Sequence, residues 1–403
     1  MKSVNEKTEK ITCLVDYHDA GLFFIRLAAS DKKNKYQIIT NLPSIFLIAR
    51  KKKIDSTLIK KNRSWRTTET KSPLRLKLVR EHVLRILNQK ECELFYKSCF
   101  EELIKGKPNR IYCWNGNSVM GEAARNYATE ENIKTLFFEI ANIPGKVFID
   151  KKGTNAQSLL FEDPTILDNP QLSELEIESK SKTLTDLKDR HRYAPQSSLS
   201  KKLSSHHLIN FIFCSLYSYK THSTTSVTKK LKSLSLRTSK KQKNEPSEIL
   251  PNEYLFFPMQ VSNDTQLMLN SDFTNIQAIE YILANYSAPI IVKPHPADQD
   301  ALDKVLELKE REKTERLYIS NMDTIELIRN SNTVVTINST VGFEALLLNK
   351  ETIFLGKSFY ASFDKTRICN YFSEYLIDAD FFSSESTEIT TETLHKIEKR
   401  LSS

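Results

Sequence analysis

The segment Ile290-Ile-Val-Lys-Pro-His-Pro296 is a β-branched run that ends in a proline-rich loop, and Thr336-Ile-Asn-Ser-Thr-Val-Gly-Phe-Glu-Ala345 follows it along the chain. The first segment predicts a buried strand whose loop carries a cation and an imidazole. The second predicts another strand, a turn of capping residues, and a helix. Strand, loop and helix in this order are typical of a parallel α/β sheet.

The two loops together predict an anion-binding site. In open α/β sheets ligands bind at the carboxyl ends of the strands, and a helix N-terminus favours an anion through its dipole and unpaired N–H groups. Lys293 and His295 add a cation and an imidazole to such a site, and Glu344 lies one turn inside the helix. A carboxylate there could accept hydrogen bonds from a ribose diol. We therefore expect a sugar-nucleotide site.

Size and composition indicate a soluble protein of two ordinary domains. The chain has 403 residues, of which 39% are hydrophobic and 27% charged. It contains no apolar run close to the roughly 20 residues that span a bilayer. The charged N-terminus lacks the apolar core of a signal peptide. Six cysteines show neither CxxC nor metal-ligand spacing. We expect a cytoplasmic, reduced protein without structural zinc.

A strongly basic segment lies between Lys180 and Glu245, with fifteen lysines and arginines against three acids. Such a balance attracts anionic surfaces. Nucleic acid is not expected, because no RNA-binding aromatics, zinc fingers or helix-turn-helix pattern accompany the charge. The remaining interpretations are an anionic membrane surface, at the inner face of the cytoplasmic membrane, and a solvated linker.

Three further segments extend these motifs: Tyr254–Gln266, Trp114-Asn-Gly-Asn117 and Phe138–Asn155. With the two segments quoted first, they resemble the bacterial capsule polysaccharide synthesis family of KpsS/KpsC-like retaining β-Kdo glycosyltransferases. The resemblance covers roughly residues 110–160 and 252–360. It implies a GT-B-like α/β fold of two Rossmann-like βαβ domains facing a central cleft. The activity it implies is transfer of Kdo from CMP-β-Kdo to a lipid or glycan acceptor.

The predicted organisation has four parts. Strands at Ile11–Val15, Tyr36–Thr40, Arg110–Trp114 and Thr135–Glu139 alternate with helices. They form an N-terminal acceptor and catalytic domain over residues 1–165. A basic helical or linker segment follows over 166–250, and a nucleotide-sugar-binding domain over 251–375. A closing helix within 376–403 is expected to pack back on the first domain.

The resemblance implies a set of site residues. The catalytic candidates are Asp150 as nucleophile, Glu139 as base or as a brace for neighbouring amides, and His295. Asp150 ends an apolar strand, although an Asp before a glycine-containing loop also starts turns. The expected nucleotide-binding residues are Lys293, His295, Asn338, Ser339, Thr340, Glu344 and Gln260. The candidates for sugar or acceptor binding are Asn115, Asn117, Asn155, Gln157 and His18.

No metal or cofactor is expected, because a leaving CMP carries one phosphate that Lys293, His295 and a helix N-terminus can stabilise. Two other enzymatic interpretations keep the nucleotide site and change the donor to CMP-sialic acid or a CDP-polyol. A third is a non-catalytic CMP-binding or scaffolding subunit of a capsule assembly. The acceptor stays open among lipid, lipid-linked Kdo and a growing glycan.

Overall fold

The computed structural model of the protein describes residues 8–59, 71–190, 209–210, 212, 250–298, 300–383 and 386–402. These residues form two compact units. The described chain leaves the first unit after Leu159, re-enters it at Leu187 and, after the main part of the second unit, returns to it at Glu374. Residues 160–186, placed by the sequence mostly in a linker, belong to the second unit. Most of the basic segment, including the apolar helix expected at 208–219, lies outside the described residues.

The first unit is built on a sheet that, in the described part of the chain, has seven strands in the order β12-β6-β5-β4-β1-β2-β3. Neighbouring strands run parallel from β5 to β3, whereas β6 runs antiparallel to both β5 and β12. The strands are β1 (Lys10–Val15), β2 (Lys35–Thr40), β3 (Asp55–Leu58), β4 (Arg110–Trp114), β5 (Lys134–Ile140), β6 (Lys146–Asp150) and β12 (Ile377–Asp378).

Helices cover this sheet. They are α1 (His18–Ser30), α2 (Pro43–Lys51), α3 (Arg80–Val83), α4 (Gln89–Gly106), α5 (Val119–Glu131) and α14 (Thr391–Ser402). Helix α4 begins at a capping box between Asn88 and Glu91. Sequence analysis missed β3, because a short, polar edge strand carries little hydrophobic pattern.

The second unit has a fully parallel sheet, whose described strands are ordered β11-β10-β7-β8-β9. The strands are β7 (Leu255–Pro258), β8 (Ile290–Lys293), β9 (Leu317–Ile319), β10 (Thr333–Thr336) and β11 (Glu351–Phe354). The described helices are α6 (Leu159–Glu162), α7 (Glu174–Arg190), α8 (Thr265–Asn270), α9 (Asn275–Asn285), α10 (Ala301–Glu312), α11 (Thr324–Asn330), α12 (Thr340–Leu347) and α13 (Lys365–Asn370). The first residue of α6 and the last four residues of α7 belong to the first unit. Two sheets of Rossmann-like βαβ units confirm the predicted α/β fold class.

Residues 374–402, which we call the C-terminal arm, complete the first unit. Ile397 and Leu401 of α14 are buried in the same core as α1 and β1. The Phe381 ring stacks on Trp114 with 4.4 Å between ring centroids. The buried Arg26 of α1 donates to main-chain carbonyls of the arm: Asp380 at 2.8 Å, Thr387 at 3.0 Å, Ser383 at 3.4 Å and Phe381 at 3.5 Å.

Among the described residues, none of the helices combines the length and apolar character needed to cross a bilayer. The same residues bring together no group of three or more His, Cys, Asp or Glu side chains suited to a metal ion.

Replacing Arg26 by methionine should lower the free energy of unfolding by about 2–4 kcal/mol, because a buried charged donor and its bonds to several carbonyls of the arm are lost. Urea-induced unfolding measures the effect. Arg50→Met is the matched control, since Arg50 is exposed on α2, and should change stability by about 0.5 kcal/mol or less. Equal losses in the two variants would contradict the role assigned to Arg26.

Candidate functional site

The carboxyl edge of the second sheet brings the predicted nucleotide-binding loops together. The His-Pro loop follows β8 and the Ser-Thr turn follows β10, with β7 between these two strands. Strand spacing puts the ends of β8 and β10 about 10 Å apart. The chain order changes direction between β7 and β10, and such a switch point is where open α/β sheets bind ligands.

Gln260 and Asn338 join the strand ends at this switch point. The Gln260 side chain donates to Asn338 Oδ1 at 2.9 Å and accepts from the Asn338 main-chain N–H at 3.1 Å. Asn338 Nδ2 donates to the Gln266 carbonyl at 3.0 Å, and both residues are buried. Their amides are therefore engaged with protein groups, so in this structure they brace the site that the neighbouring residues line.

The geometry of the His-Pro loop selects the tautomer of His295. Its Nδ1 accepts the Ala297 N–H at 3.1 Å, so the neutral ring carries its proton on Nε2. Burial lowers the pKa of His295, against an opposing influence of Asp264 and Asp298. Asp298 fixes the loop by accepting from the Ser262 N–H at 2.8 Å. A neutral His295 thus offers an N–H donor from a restrained loop.

Lys293 ends β8 and ties it to the next loop. Its Nζ donates to the Met322 carbonyl at 2.5 Å and to Thr324 Oγ1 at 2.9 Å. Burial lowers the pKa of Lys293, while Asp323 opposes the shift. With two of its donors directed at protein oxygens, Lys293 acts on an anion chiefly through its charge.

The start of α12 supplies the helix N-terminus. Ser339 caps it, its Oγ accepting the Val341 N–H at 3.2 Å, and Thr340 is exposed. Glu344 is half-buried one turn further along. Burial raises the pKa of Tyr360, and the Glu344 charge adds to that increase. The Tyr360 hydroxyl donates to the Asn338 carbonyl at 3.0 Å, in the turn before the helix. Tyr360 therefore holds this turn and also senses the charge of Glu344.

At the carboxyl edge of the first sheet, predicted residues follow three neighbouring strands. His18 comes after β1, Asn115 and Asn117 after β4, and Glu139 near the end of β5. Asn115 Nδ2 donates to Glu139 Oε2, and the Ile140 N–H donates to Glu139 Oε1 at 3.0 Å. His18 Nδ1 lies 3.0 Å from Ser44 Oγ, after β2. The structure therefore gathers a carboxylate, amides and an imidazole along one edge.

The turn after β4 has left-handed backbone at Asn115 (φ 66°) and Gly116 (φ 76°). Gly121 of α5 permits a close approach to it, because a Cβ there would lie 2.3 Å from the Gly116 carbonyl oxygen. Asn117 is 1% exposed, and both polar atoms of its side chain lack a hydrogen-bond partner in the described part of the protein. Buried unpaired amides are rare, which makes Asn117 a candidate for contact with a ligand or water.

Asp150 does not occupy the position expected of it. Because β6 runs antiparallel to β5, Asp150 lies opposite Phe137 and away from the carboxyl edge. It is 1% exposed, and its carboxylate accepts from the N–H groups of Lys152, Gly153 and Leu159 at 2.7, 3.1 and 3.0 Å and from the Tyr375 hydroxyl at 2.8 Å. Three of these donors bond to Oδ1 and the Tyr375 hydroxyl bonds to Oδ2, so both carboxylate oxygens are engaged with protein groups. Asp150 thus organises a turn, the alternative that its sequence also allowed, and is poorly placed for attack.

The remaining predicted residues lie in the loop after β6. Asn155 has left-handed backbone (φ 53°) and begins a 3-10 turn. Gln157 Oε1 accepts from Arg125 at 3.0 Å, while its buried Nε2 has no partner among the described residues.

Sequence analysis missed a buried ion-pair group beside this edge. Arg80 donates to Asp16 at 3.0 Å and to Glu81 at 2.7 Å, and the Glu81 carboxylate also accepts the Val119 N–H at the start of α5. Asp16 directly follows a predicted strand, a signal that could have identified it. Arg80 and Glu81 lie in a region without regular hydrophobic period, and no pattern pointed to them.

Comparison with known proteins gives a consistent result. The family described as capsule polysaccharide biosynthesis protein matches residues 109–366. FixF of Sinorhizobium fredii is 39% identical over 129 residues, which cover 30% of this chain and 31% of FixF. The capsule polysaccharide export protein KpsS of Escherichia coli is 26% identical over 280 residues, covering 62% of this chain and 67% of KpsS. The matched part thus spans about a third of FixF.

A similar solved structure is KpsC of Thermosulfurimonas dismutans, titled a beta Kdo 2,7 transferase, with 16% identity, a TM-score of 0.40, and coverage of 78% of this chain and 90% of that one. The family match alone extends over more than half of the sequence and includes β4, β5 and β6 of the first sheet and the five described strands of the second. This chain is a member of the capsule polysaccharide biosynthesis protein family.

Proposed function

We propose that the protein is a glycosyltransferase that transfers Kdo from CMP-β-Kdo to a lipid or glycan acceptor with retention at the anomeric carbon. The observation that carries this proposal is the convergence at one sheet edge of the His295 Nε2–H donor, the Lys293 charge, the N-terminus of α12 and Glu344. The choice of Kdo draws on the resemblance of the motifs to the β-Kdo transferases of the family.

The size of the donor set suits a nucleoside monophosphate. One helix N-terminus, one lysine charge and one imidazole N–H are enough to hold a single phosphate group. Glu344, one turn into α12, is positioned to accept hydrogen bonds from the ribose hydroxyls. The N–H on His295 Nε2 would donate to the phosphate as its bond to the sugar breaks and negative charge develops there.

Retention by double displacement requires a nucleophile, and Glu139 is better placed than Asp150. Glu139 is half-buried at the carboxyl edge, held by Asn115 and the Ile140 N–H, whereas Asp150 is inaccessible. In a double displacement the Glu139 carboxylate attacks the anomeric carbon and CMP leaves. The acceptor hydroxyl then attacks the same carbon, the ester bond to Glu139 breaks, and the hydroxyl proton passes to a base. We assign this role to His18, which follows β1 at the same edge of the sheet, with β4 between β1 and the strand of Glu139.

CMP should bind the second unit without divalent metal. Glu344→Gln and His295→Gln should each weaken CMP binding about 10- to 100-fold, because each loses a hydrogen bond that involves a charged group. Calorimetry with and without EDTA measures this. Glu351→Gln is the matched control, since Glu351 accepts from Thr333 at the opposite edge of the same sheet. Unchanged affinity in both site variants, or strict dependence on magnesium, would place the nucleotide elsewhere.

The titration of His295 should respond to CMP. In the free protein burial holds its pKa below the ordinary value of about 6.5. A bound phosphate favours the imidazolium form, so saturating CMP should raise that pKa. Nitrogen-detected NMR of labelled histidine, with His295→Gln for assignment, follows the change. A titration curve that CMP leaves in place would show that the phosphate is not beside His295.

The nucleophile can be located by peptide mass. With CMP-Kdo and no acceptor, the protein should accumulate an adduct one Kdo residue heavier. Trypsin separates the candidates, because Glu139 lies in the peptide 135–146 and Asp150 in the peptide 147–151. The adduct should map to 135–146, and Glu139→Gln should abolish both adduct and transfer while CMP still binds.

An adduct on the peptide 147–151 would return the role to Asp150. A product of inverted configuration, or CMP release from CMP-sialic acid or a CDP-polyol in place of CMP-Kdo, would favour the alternative enzymatic functions. CMP binding without turnover would favour the non-catalytic CMP-binding subunit.

A further inference from the structure

A chain of hydrogen bonds joins the C-terminal arm to the proposed nucleophile. We propose that Tyr375 is a positioning residue for the transfer reaction, acting through Asp150, the loop 151–158 and Asn115 on Glu139. The proposal rests on the function proposed above. It concerns residues of the first unit alone.

The first link is the turn that Asp150 organises. Its Oδ1 accepts the N–H groups of Lys152, Gly153 and Leu159, which begin and end the loop, so one buried carboxylate sets the conformation of the whole segment. Gly153 allows the loop to close tightly, because a Cβ there would lie 2.5 Å from the Gln157 carbonyl oxygen.

The second link runs from this loop to the turn after β4. The fully buried Thr154 hydroxyl donates to the Asn115 carbonyl at 2.5 Å. Arg125, at 3.0 Å from Gln157 Oε1, also reaches the Gly116 carbonyl at 3.4 Å. The loop thereby fixes the left-handed backbone at Asn115.

The third link is the side chain of Asn115, whose amide donates to the Glu139 carboxylate. A rotation of the Asn115 backbone would move this amide and, with it, the carboxylate oxygen that attacks the sugar. Displacements of about 1 Å from productive geometry can reduce rates by about two orders of magnitude. The conformation of the loop is therefore linked to the geometry of the reaction.

Tyr375 holds the other end of the chain. Its hydroxyl donates to Asp150 Oδ2 at 2.8 Å, and it is the last residue of a π-helical turn, Tyr371–Tyr375. The guanidinium carbon of Arg400 lies 4.0 Å from its ring centroid, and the Phe148 ring lies at 5.4 Å. These contacts fix the ring independently of the hydroxyl, so removing the hydroxyl alone leaves the packing and takes one donor from a buried carboxylate.

The test compares Tyr375→Phe with Tyr36→Phe. Tyr36 also donates its hydroxyl to a carboxylate, Asp31 at 2.8 Å, but near the amino end of β2 in the same sheet. Both variants should lose similar stability. Tyr375→Phe should reduce kcat for Kdo transfer at least tenfold with unchanged CMP affinity, whereas Tyr36→Phe should leave kcat as it is. Thr154→Val should reduce kcat as Tyr375→Phe does, whereas Thr154→Ser, which keeps the hydroxyl, should retain the wild-type kcat. The double variant Tyr375→Phe/Thr154→Val should lose less kcat than the product of the two single losses.

Equal kcat for Tyr375→Phe and Tyr36→Phe, or independent effects of Tyr375→Phe and Thr154→Val, would overturn the positioning role and leave the proposed function standing. Absence of turnover in the wild-type protein would instead overturn the proposed function. Amide hydrogen exchange distinguishes the two cases, because Tyr375→Phe should speed exchange at residues 115–117 and 151–159 whichever nucleotide sugar is the donor substrate. Exchange that matches Tyr36→Phe in these segments would refute the hydrogen-bond chain itself.

Discussion

The paired amides of Gln260 and Asn338 are the constraint on which the proposed nucleotide site depends. They join the ends of β7 and β10 at the point where the chain order of the second sheet changes direction. Parallel strands separate beyond their last ladder bond, and side-chain amides are well suited to bridge the gap because each both donates and accepts. With that bridge in place, the His295 loop and the start of α12 keep a fixed separation.

The sequence allowed much of this fold to be predicted. Buried parallel strands are continuous apolar runs, so β1, β2, β4, β8 and β10 could be located from hydrophobic pattern and flanking turns. The loops proposed to hold the nucleotide could be located in the same way, since each directly follows such a strand. Helix α13 and the π-helical turn after Tyr360 were missed, because their residues are ordered by contacts with residues about 200 positions away, such as that of Asn370 with the Leu167 carbonyl.

Asp150 shows why strand direction matters for assigning a site. Placement at a strand end suggested a catalytic carboxylate, but that inference holds only if the strand runs parallel to its neighbours. An apolar run of three residues, Val147–Ile149, carries no information about direction. The Tyr375 hydroxyl, which donates to Oδ2 of Asp150, is 225 positions away in sequence, so no local pattern could have indicated it. Glu139, which ends a strand that is parallel to β4, satisfies the rule.

The anchoring of the C-terminal arm by Arg26 has a consequence for biosynthesis. The core of the first unit includes Ile377, Ile397 and Leu401, so the unit synthesised first cannot be completed until nearly the last helical turn has left the ribosome. The second unit has all of its strands by Phe354. The nascent chain would therefore carry a complete second unit while part of the first core is still exposed to chaperones and proteases. The second unit would thus complete its folding before the first, which is opposite to their order along the chain.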